Sequence, residues 1–106
     1  MTTREVRFEK LNMSDDGQFR QMVVGTVYET MVDFSVRKTG DNVYEFTNIF
    51  ATTRPVGAYP FGIGLVAKKH LSITACTPSP QDAIQAMLIT VHNKNIKDIK
   101  RRKKSL

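Results

Sequence analysis

The sequence has little of the chemistry that disulfide-bonded, zinc-binding or membrane proteins need. It contains one cysteine, Cys76, and two histidines, so it can form no internal disulfide and is very poor in ligands for a closed zinc site. Tryptophan is absent, and no apolar run approaches the ~20 residues of a membrane-spanning helix. The first residues lack the apolar core of a signal peptide, which favours a cytoplasmic location over secretion.

The composition is that of one folded domain. Hydrophobic residues make up 41% and charged residues 25% of the chain, as in globular proteins. A length of 106 residues is near the common domain size and permits a single core without metal or disulfide cross-links. The sequence therefore predicts a single domain and indicates no cofactor.

Charge is distributed unevenly along the chain. The net charge is +6, and residues 94–106 carry all of it, because they hold seven of the 16 Lys and Arg residues against one acid, Asp98. Residues 1–93 hold nine bases and nine acids and are neutral. We therefore divide the chain into an α+β domain of residues 1–93, which includes most of a C-terminal helix, and a basic helix extension or tail of residues 94–106.

Alternation of apolar and polar residues predicts β-strands in much of the chain. The clearest case is a hairpin over about residues 32–50, in which strands Val32–Arg37 and Val43–Phe50 are joined by a loop around Gly40. Residues 6–9 alternate in the same way and predict an earlier strand.

Two later segments follow this hairpin. Residues 51–60 contain two prolines and a glycine, and we interpret them as a long connecting loop. Between residues 61 and 76 the odd positions are apolar except for Lys69. This pattern predicts strands that bury their odd-numbered side chains and are interrupted around Lys68 and Lys69.

Residues 16–31 fit two interpretations. One is a helix, with Ser14 as its cap and an apolar stripe at Phe19, Met22, Val23, Val27, Met31 and Phe34. The other is β structure, in which one face carries Met22, Val24, Tyr28, Val32, Phe34 and Val36. The segment is rich in β-branched residues, and Gly25 would cost a helix about 1 kcal/mol. We favour two strands, or one bent strand with a bulge at Gly25, and the helix stays open as the alternative.

The C-terminal segment predicts a long amphipathic helix. Ser79 suits the N-cap, Pro80 the first helical position, and Asp82 the first turn. The stripe expected to face a sheet is Ile84, Met87, Leu88, Val91, Asn95 or Ile96, and Ile99. The predicted fold class is α+β: an antiparallel sheet of about four to five strands with one long C-terminal helix packed on a face.

The basic extension indicates a polyanionic partner. Lys and Arg side chains that neutralise phosphates release condensed counterions, and such contacts carry no base specificity. The leading hypothesis is a small, non-enzymatic nucleic-acid-binding protein of low sequence specificity, with DNA and RNA both open. The predicted contacts are Lys94, Lys97, Lys100, Arg101, Arg102, Lys103 and Lys104, with Lys68, Lys69 and Arg54 as secondary contacts. The alternative is a small modulator or inhibitor that docks on an acidic surface of a larger protein.

Catalytic and metal-binding patterns are not evident in the sequence. His70 and Cys76 would lie ~20 Å apart along a straight strand, and Cys76 is expected to be buried and inert. The carboxylates are scattered, so we expect neither a metal site nor an enzyme. The Val- and Thr-rich segment of residues 22–32 is a candidate edge for pairing with a second copy, as in a homodimer.

Overall fold

A computed structural model of the chain describes residues 12–13, 18–57 and 66–105, with side chains over residues 18–57 and 66–101. Its elements are β1 (Asn12–Met13), β2 (Phe19–Val24), β3 (Tyr28–Gly40), β4 (Val43–Pro55), β5 (Val66–His70), β6 (Ile73–Cys76) and α1 (Pro80–Ser105). The strands form one antiparallel sheet in the order β1-β2-β3-β4-β5, and β6 pairs with β4 next to β5. The sheet is thus five strands wide with α1 packed against it, which confirms the predicted α+β class.

The predicted hairpin is confirmed, with longer strands than the sequence suggested. β3 continues to Gly40, which pairs with Val43, so the connection is reduced to Asp41 and Asn42. Asn42 has a φ of 57°, a left-handed conformation that asparagine tolerates better than most residues. β4 also continues through residues 51–55, so the prediction of a loop is wrong there. Its threonines suit a strand that is paired on both sides.

A bulge in β4 controls which side chains enter the core. The register shifts between Asp33 and Ser35, so that Asn48 and Ile49 of β4 together face Phe34 of β3. Asn48 has a φ of 54°, and this left-handed residue resets the alternation of the strand. As a result Phe46 and Ile49, three positions apart, are both buried on the helix side.

Residues 19–31 form two strands, so the strand interpretation is confirmed and the helical alternative is wrong. Gly25 lies in the turn between them, where its N–H donates to the Tyr28 carbonyl at 2.9 Å, and not at a bulge. The turn resets the alternation, so β2 buries Gln21 and Val23 where Met22 and Val24 had been predicted.

The prediction that residues 22–32 form a sheet edge is wrong for residues 28–32. Residues 28–32 belong to β3, which pairs with β2 on one side and with β4 on the other. An interior strand has no free backbone groups to pair with a second copy. The homodimer itself stays a prediction.

The strands after residue 65 also differ in detail from the prediction. The interruption falls at Leu71 and Ser72, not at Lys68 and Lys69. β6 turns its odd residues Ile73 and Ala75 toward the core as expected, whereas β5 buries the even-numbered Val66. Cys76 is exposed, so its predicted burial is wrong. The strand predicted at residues 6–9 and the segment 61–65 lie outside the described residues.

The helix begins where the sequence predicts. The Gln81 N–H donates to the Ser79 side-chain oxygen at 3.2 Å, and the Ala83 N–H donates to the Ser79 carbonyl at 3.1 Å. The stripe that α1 buries against the sheet is Ala83, Ile84, Met87, Leu88, Val91, His92, Asn95 and Ile99. It meets Val23, Val32, Phe34, Phe46, Ile49 and Ala51, with the rings of Phe34 and Phe46 5.8 Å apart.

Candidate nucleic-acid interface

The basic residues of the C-terminal segment are presented on a continuous helix. α1 has 26 residues and runs through Ser105 with no break at residues 93–94. At ~1.5 Å per residue, the stretch from Lys94 to Lys104 spans ~15 Å. Lys94, Lys97, Lys100 and Arg101 are all exposed to solvent. Positive side chains near a helix C-terminus are also favoured by the helix dipole, by ~0.3–1 kcal/mol each.

Asp98, the one acid in this stretch, forms ion pairs with two cations of the same chain. Its Oδ2 atom lies 2.8 Å from Nζ of Lys68 on β5, and its Oδ1 atom lies 3.5 Å from Nη1 of Arg101. The Asp98 side chain is only 15% exposed, whereas Lys68 and Arg101 keep 49% and 76% of their surface in water. The ion pair therefore fixes β5 to the helix and brings Lys68 beside the basic helix end. We call the group formed by Lys68, Lys94, Lys97, Lys100 and Arg101 the basic surface.

Two of the predicted secondary contacts are not part of the basic surface. Lys69 is next to Lys68 in β5, so its side chain points to the sheet face opposite α1. Arg54 also lies on that face, where its Nε donates to Glu29 Oε2 at 2.6 Å. The backbone of Arg102, Lys103 and Lys104 continues the helix, and their side chains lie outside the described residues.

A chain of hydrogen bonds crosses the buried interface between α1 and the sheet, and sequence reasoning missed it. His92 Nδ1 lies 2.5 Å from Thr30 Oγ1, which lies 2.6 Å from Thr53 Oγ1. The Asn95 amide donates to Thr53 Oγ1 at 3.0 Å and to the Ala51 carbonyl at 3.1 Å, and its oxygen lies 3.0 Å from His70 Nε2. The one available signal was the polar pair His92 and Asn95 at helical spacing i and i+3 on an otherwise apolar stripe.

The direction of this buried chain follows from requiring that every donor in it has an acceptor. Both amide hydrogens of Asn95 are used, so its oxygen must accept a hydrogen bond from His70 Nε2–H. Thr53 accepts from Asn95, and Thr30 Oγ1 is the one acceptor for its own hydroxyl proton among the described contacts, so the arrangement that uses every hydroxyl proton runs from Thr53 to Thr30 and from Thr30 to His92 Nδ1. His92 is then neutral with its proton on Nε2. Burial lowers the pKa of His92, which favours the same neutral form.

His70 lies at the other end of the chain, in a mixed electrostatic environment. Burial lowers its pKa most, the hydrogen bond to Asn95 raises it, Lys68 and Lys94 lower it, and Asp98 raises it. The pKa of His70 is lowered on balance, so both histidines are deprotonated near neutral pH.

A cavity of about 280 Å³ opens beside His92, between α1 and the turn that joins β2 to β3. It is lined by Gly25, Thr26, Val27, Tyr28, His92, Ile96 and Lys100, and its walls are mainly apolar. His92 is only 1% exposed, and no described group bonds to its Nε2 atom.

Other classes of site are not found in the described part of the chain. No group of three or more His, Cys, Asp or Glu residues there could hold a metal ion. No helix in residues 12–13, 18–57 and 66–105 is long and apolar enough to cross a membrane. No protein-family model, curated protein or solved structure matches the chain.

Proposed function

We propose that the protein binds nucleic acid through phosphate contacts made by the basic surface and by the three basic residues that follow it on α1. The observation that carries the proposal is the placement of exposed cations on successive turns of one helix, with their single acid already paired. Lys68, which the sheet brings to the same place, offsets the negative charge of Asp98. The arrangement supports binding to a chain of negative charges.

Low sequence specificity is part of the proposal. Lysine and arginine side chains on an exposed helix end bind phosphates irrespective of the base attached to them. Each neutralised phosphate contributes about −0.9 to the slope of log affinity against log salt on duplex DNA and about −0.7 on single strands. Five contacts would therefore reduce affinity by roughly two to three orders of magnitude between 50 and 200 mM salt.

The experiment that tests the proposal compares two triple variants of equal net charge. One changes Lys94, Lys97 and Arg101 to Gln, and the control changes Arg37, Lys38 and Lys69 to Gln. Each set removes three exposed cations, of which one is an arginine in an ion pair. Fluorescence anisotropy with labelled single-stranded and duplex DNA and RNA is measured from about 50 to 200 mM salt.

We expect the helix variant to weaken binding at least tenfold and to lower the salt slope by roughly two to three, while the control changes both only slightly. Equal losses in the two variants would mean that net charge alone attracts the ligand, which contradicts a site on α1. If the wild-type protein binds none of the four ligands near physiological salt, the proposal fails. The same helix variant then tests for loss of binding to an acidic protein surface.

A further inference from the structure

The cavity beside His92 has two polar groups at different depths, separated by apolar walls. His92, almost completely buried, offers an unbonded Nε2–H, because the directed chain of hydrogen bonds uses its Nδ1 as an acceptor. Lys100 also lines the cavity but is exposed, and no ion-pair partner for it exists among the described residues. A matching ligand needs a hydrogen-bond acceptor at one end, an anion at the other and a flat or apolar body between them.

A nucleotide meets all three requirements. Its base carries carbonyl or ring-nitrogen acceptors on its edge, its faces are apolar, and its phosphate is an anion. The cavity volume of about 280 Å³ is just below the ~300–1,000 Å³ of small-molecule sites, which suits one ring system better than a whole cofactor. Because Lys100 also belongs to the basic surface, a strand bound along α1 would bring its bases to the mouth of this cavity.

We propose that the cavity receives one unpaired nucleobase, which accepts a hydrogen bond from His92 Nε2–H while its phosphate contacts Lys100. This inference rests on the proposed function and deepens it, because it makes single-stranded nucleic acid the preferred ligand. A base in a duplex has its edge paired and its faces stacked, so it cannot enter a side pocket without being unpaired. His92 can find an acceptor on any of the bases, so preference for a particular base is small.

The test compares ligands that share a phosphate chain and differ in their bases. Oligothymidylate of about 12 nucleotides, within the ~4–16 nucleotides that small single-strand-binding folds cover, is compared with an abasic deoxyribose-phosphate chain of equal length. Contacts with the base add to those with the phosphates, so we expect the thymidylate to bind the wild-type protein about tenfold more tightly than the abasic chain does.

The two histidines provide a direct readout of the site. In protein labelled with ¹⁵N-histidine, the Nε2 resonance of His92 should shift on addition of thymidylate and stay in place with the abasic chain. His70 lines no part of the cavity and lies near Lys68 and Lys94, so its resonance reports phosphate binding to the basic surface. It should move alike in both titrations, whereas the His92 resonance should distinguish them.

A pair of variants separates filling of the cavity from general effects. Thr26 lines the cavity in an exposed turn, and T26M places a flexible apolar side chain there, whereas T39M makes the same change at an exposed position in β3 outside the cavity. T26M should bring the thymidylate affinity down to that of the abasic chain and leave the abasic affinity unchanged. T39M should change neither.

Failure of the inference is distinguishable from failure of the proposed function. If both chains bind equally and the His92 resonance does not move, no base enters the cavity, although phosphate binding stands. If neither chain binds, both proposals are wrong. A His92 shift produced by octanoate and not by thymidylate would assign the cavity to small apolar carboxylates and overturn the inference.

Discussion

Asn95 makes three hydrogen bonds in the interface between α1 and the sheet, and replacing it with leucine, which has the same branched shape and number of heavy atoms but a larger volume, removes all three. Its amide bonds the Ala51 carbonyl and Thr53 Oγ1, and its oxygen bonds His70 Nε2. Asn95 has no exposed surface, so no water can take over these bonds. The N95L variant therefore measures what the buried polar chain contributes to folding.

The magnitude follows from the environment of each partner. Each of the three bonds is worth about 1 kcal/mol net, and a buried acceptor left without a partner costs a further ~1–3 kcal/mol. Thr53 keeps its bond to Thr30, and half-buried His70 can turn to solvent, so the Ala51 carbonyl bears most of that second cost. The leucine side chain recovers about 1–2 kcal/mol through apolar burial. We expect N95L to lower the free energy of unfolding by about 2–5 kcal/mol.

Urea denaturation followed by circular dichroism measures this change, with N93L as the matched control. Asn93 lies on the same helix and is exposed, so the same substitution there should stay within about 0.5 kcal/mol of wild type. With a urea m-value of ~1–3 kcal/mol/M, the N95L midpoint should fall by about 1 M or more. A midpoint at or above that of wild type would refute the reasoning, because apolar packing would then outweigh the polar chain, as it does for some buried ion pairs.

Three further predictions concern other parts of the fold. Since burial lowers the pKa of both His92 and His70, the unfolded chain takes up protons first, so stability should be complete above about pH 6.5 and fall as the pH drops below it. Urea midpoints measured at several pH values below 7 check this loss of stability, and a midpoint that does not change with pH would contradict it. Lys100 and Tyr28 line the cavity beside His92, and Lys68, Lys94 and Asp98 lie near His70. The change S79A removes the N-cap acceptor and should cost about 1 kcal/mol by thermal denaturation, a loss that S72A in the exposed β5–β6 connection should not reproduce. At Asn48, whose φ is 54°, valine should destabilise the protein by about 1–2 kcal/mol while glycine is tolerated, and equal stability of the two variants would exclude backbone strain at the bulge.

The parts of the fold that could be predicted from sequence are those set by local interactions. Ser79, Pro80 and Asp82 locate the start of α1 because capping acts within one helical turn. The apolar stripe of the helix and the central hairpin follow from regular periodicity, and both are confirmed. In each of these cases the decisive partners lie within a few residues of one another.

The errors arise where periodicity is reset or where partners are distant in sequence. The turn at Gly25 and the bulge at Asn48 each shift the alternation by one residue, which moves a whole strand segment to the other face. Thr30 is 23 residues from Thr53 and 62 residues from His92 along the chain, so no local sequence pattern predicts that these side chains are in contact. For the candidate site, the charge of the helix end was evident from sequence, whereas the ion pair from Lys68 and the cavity beside His92 depend on how the helix lies on the sheet.

The basic surface and the core share the same turns of α1, so the cations of the basic surface are already ordered before a ligand binds. Asn95 and Ile99 are buried against the sheet, while Lys94, Lys97 and Lys100 alternate with them and stay in water. A flexible basic tail would have to be ordered on binding, at a cost in conformational entropy. Here that cost is incurred during folding, so the cations are held in place relative to Lys68 and the His92 cavity. Removing residues 94–106 would also remove Asn95 and Ile99 from the core, so loss of binding in such a fragment could not be attributed to charge. Substitution of individual exposed cations in the full chain avoids that confusion, because it changes the charge of the site and leaves the packing of α1 intact.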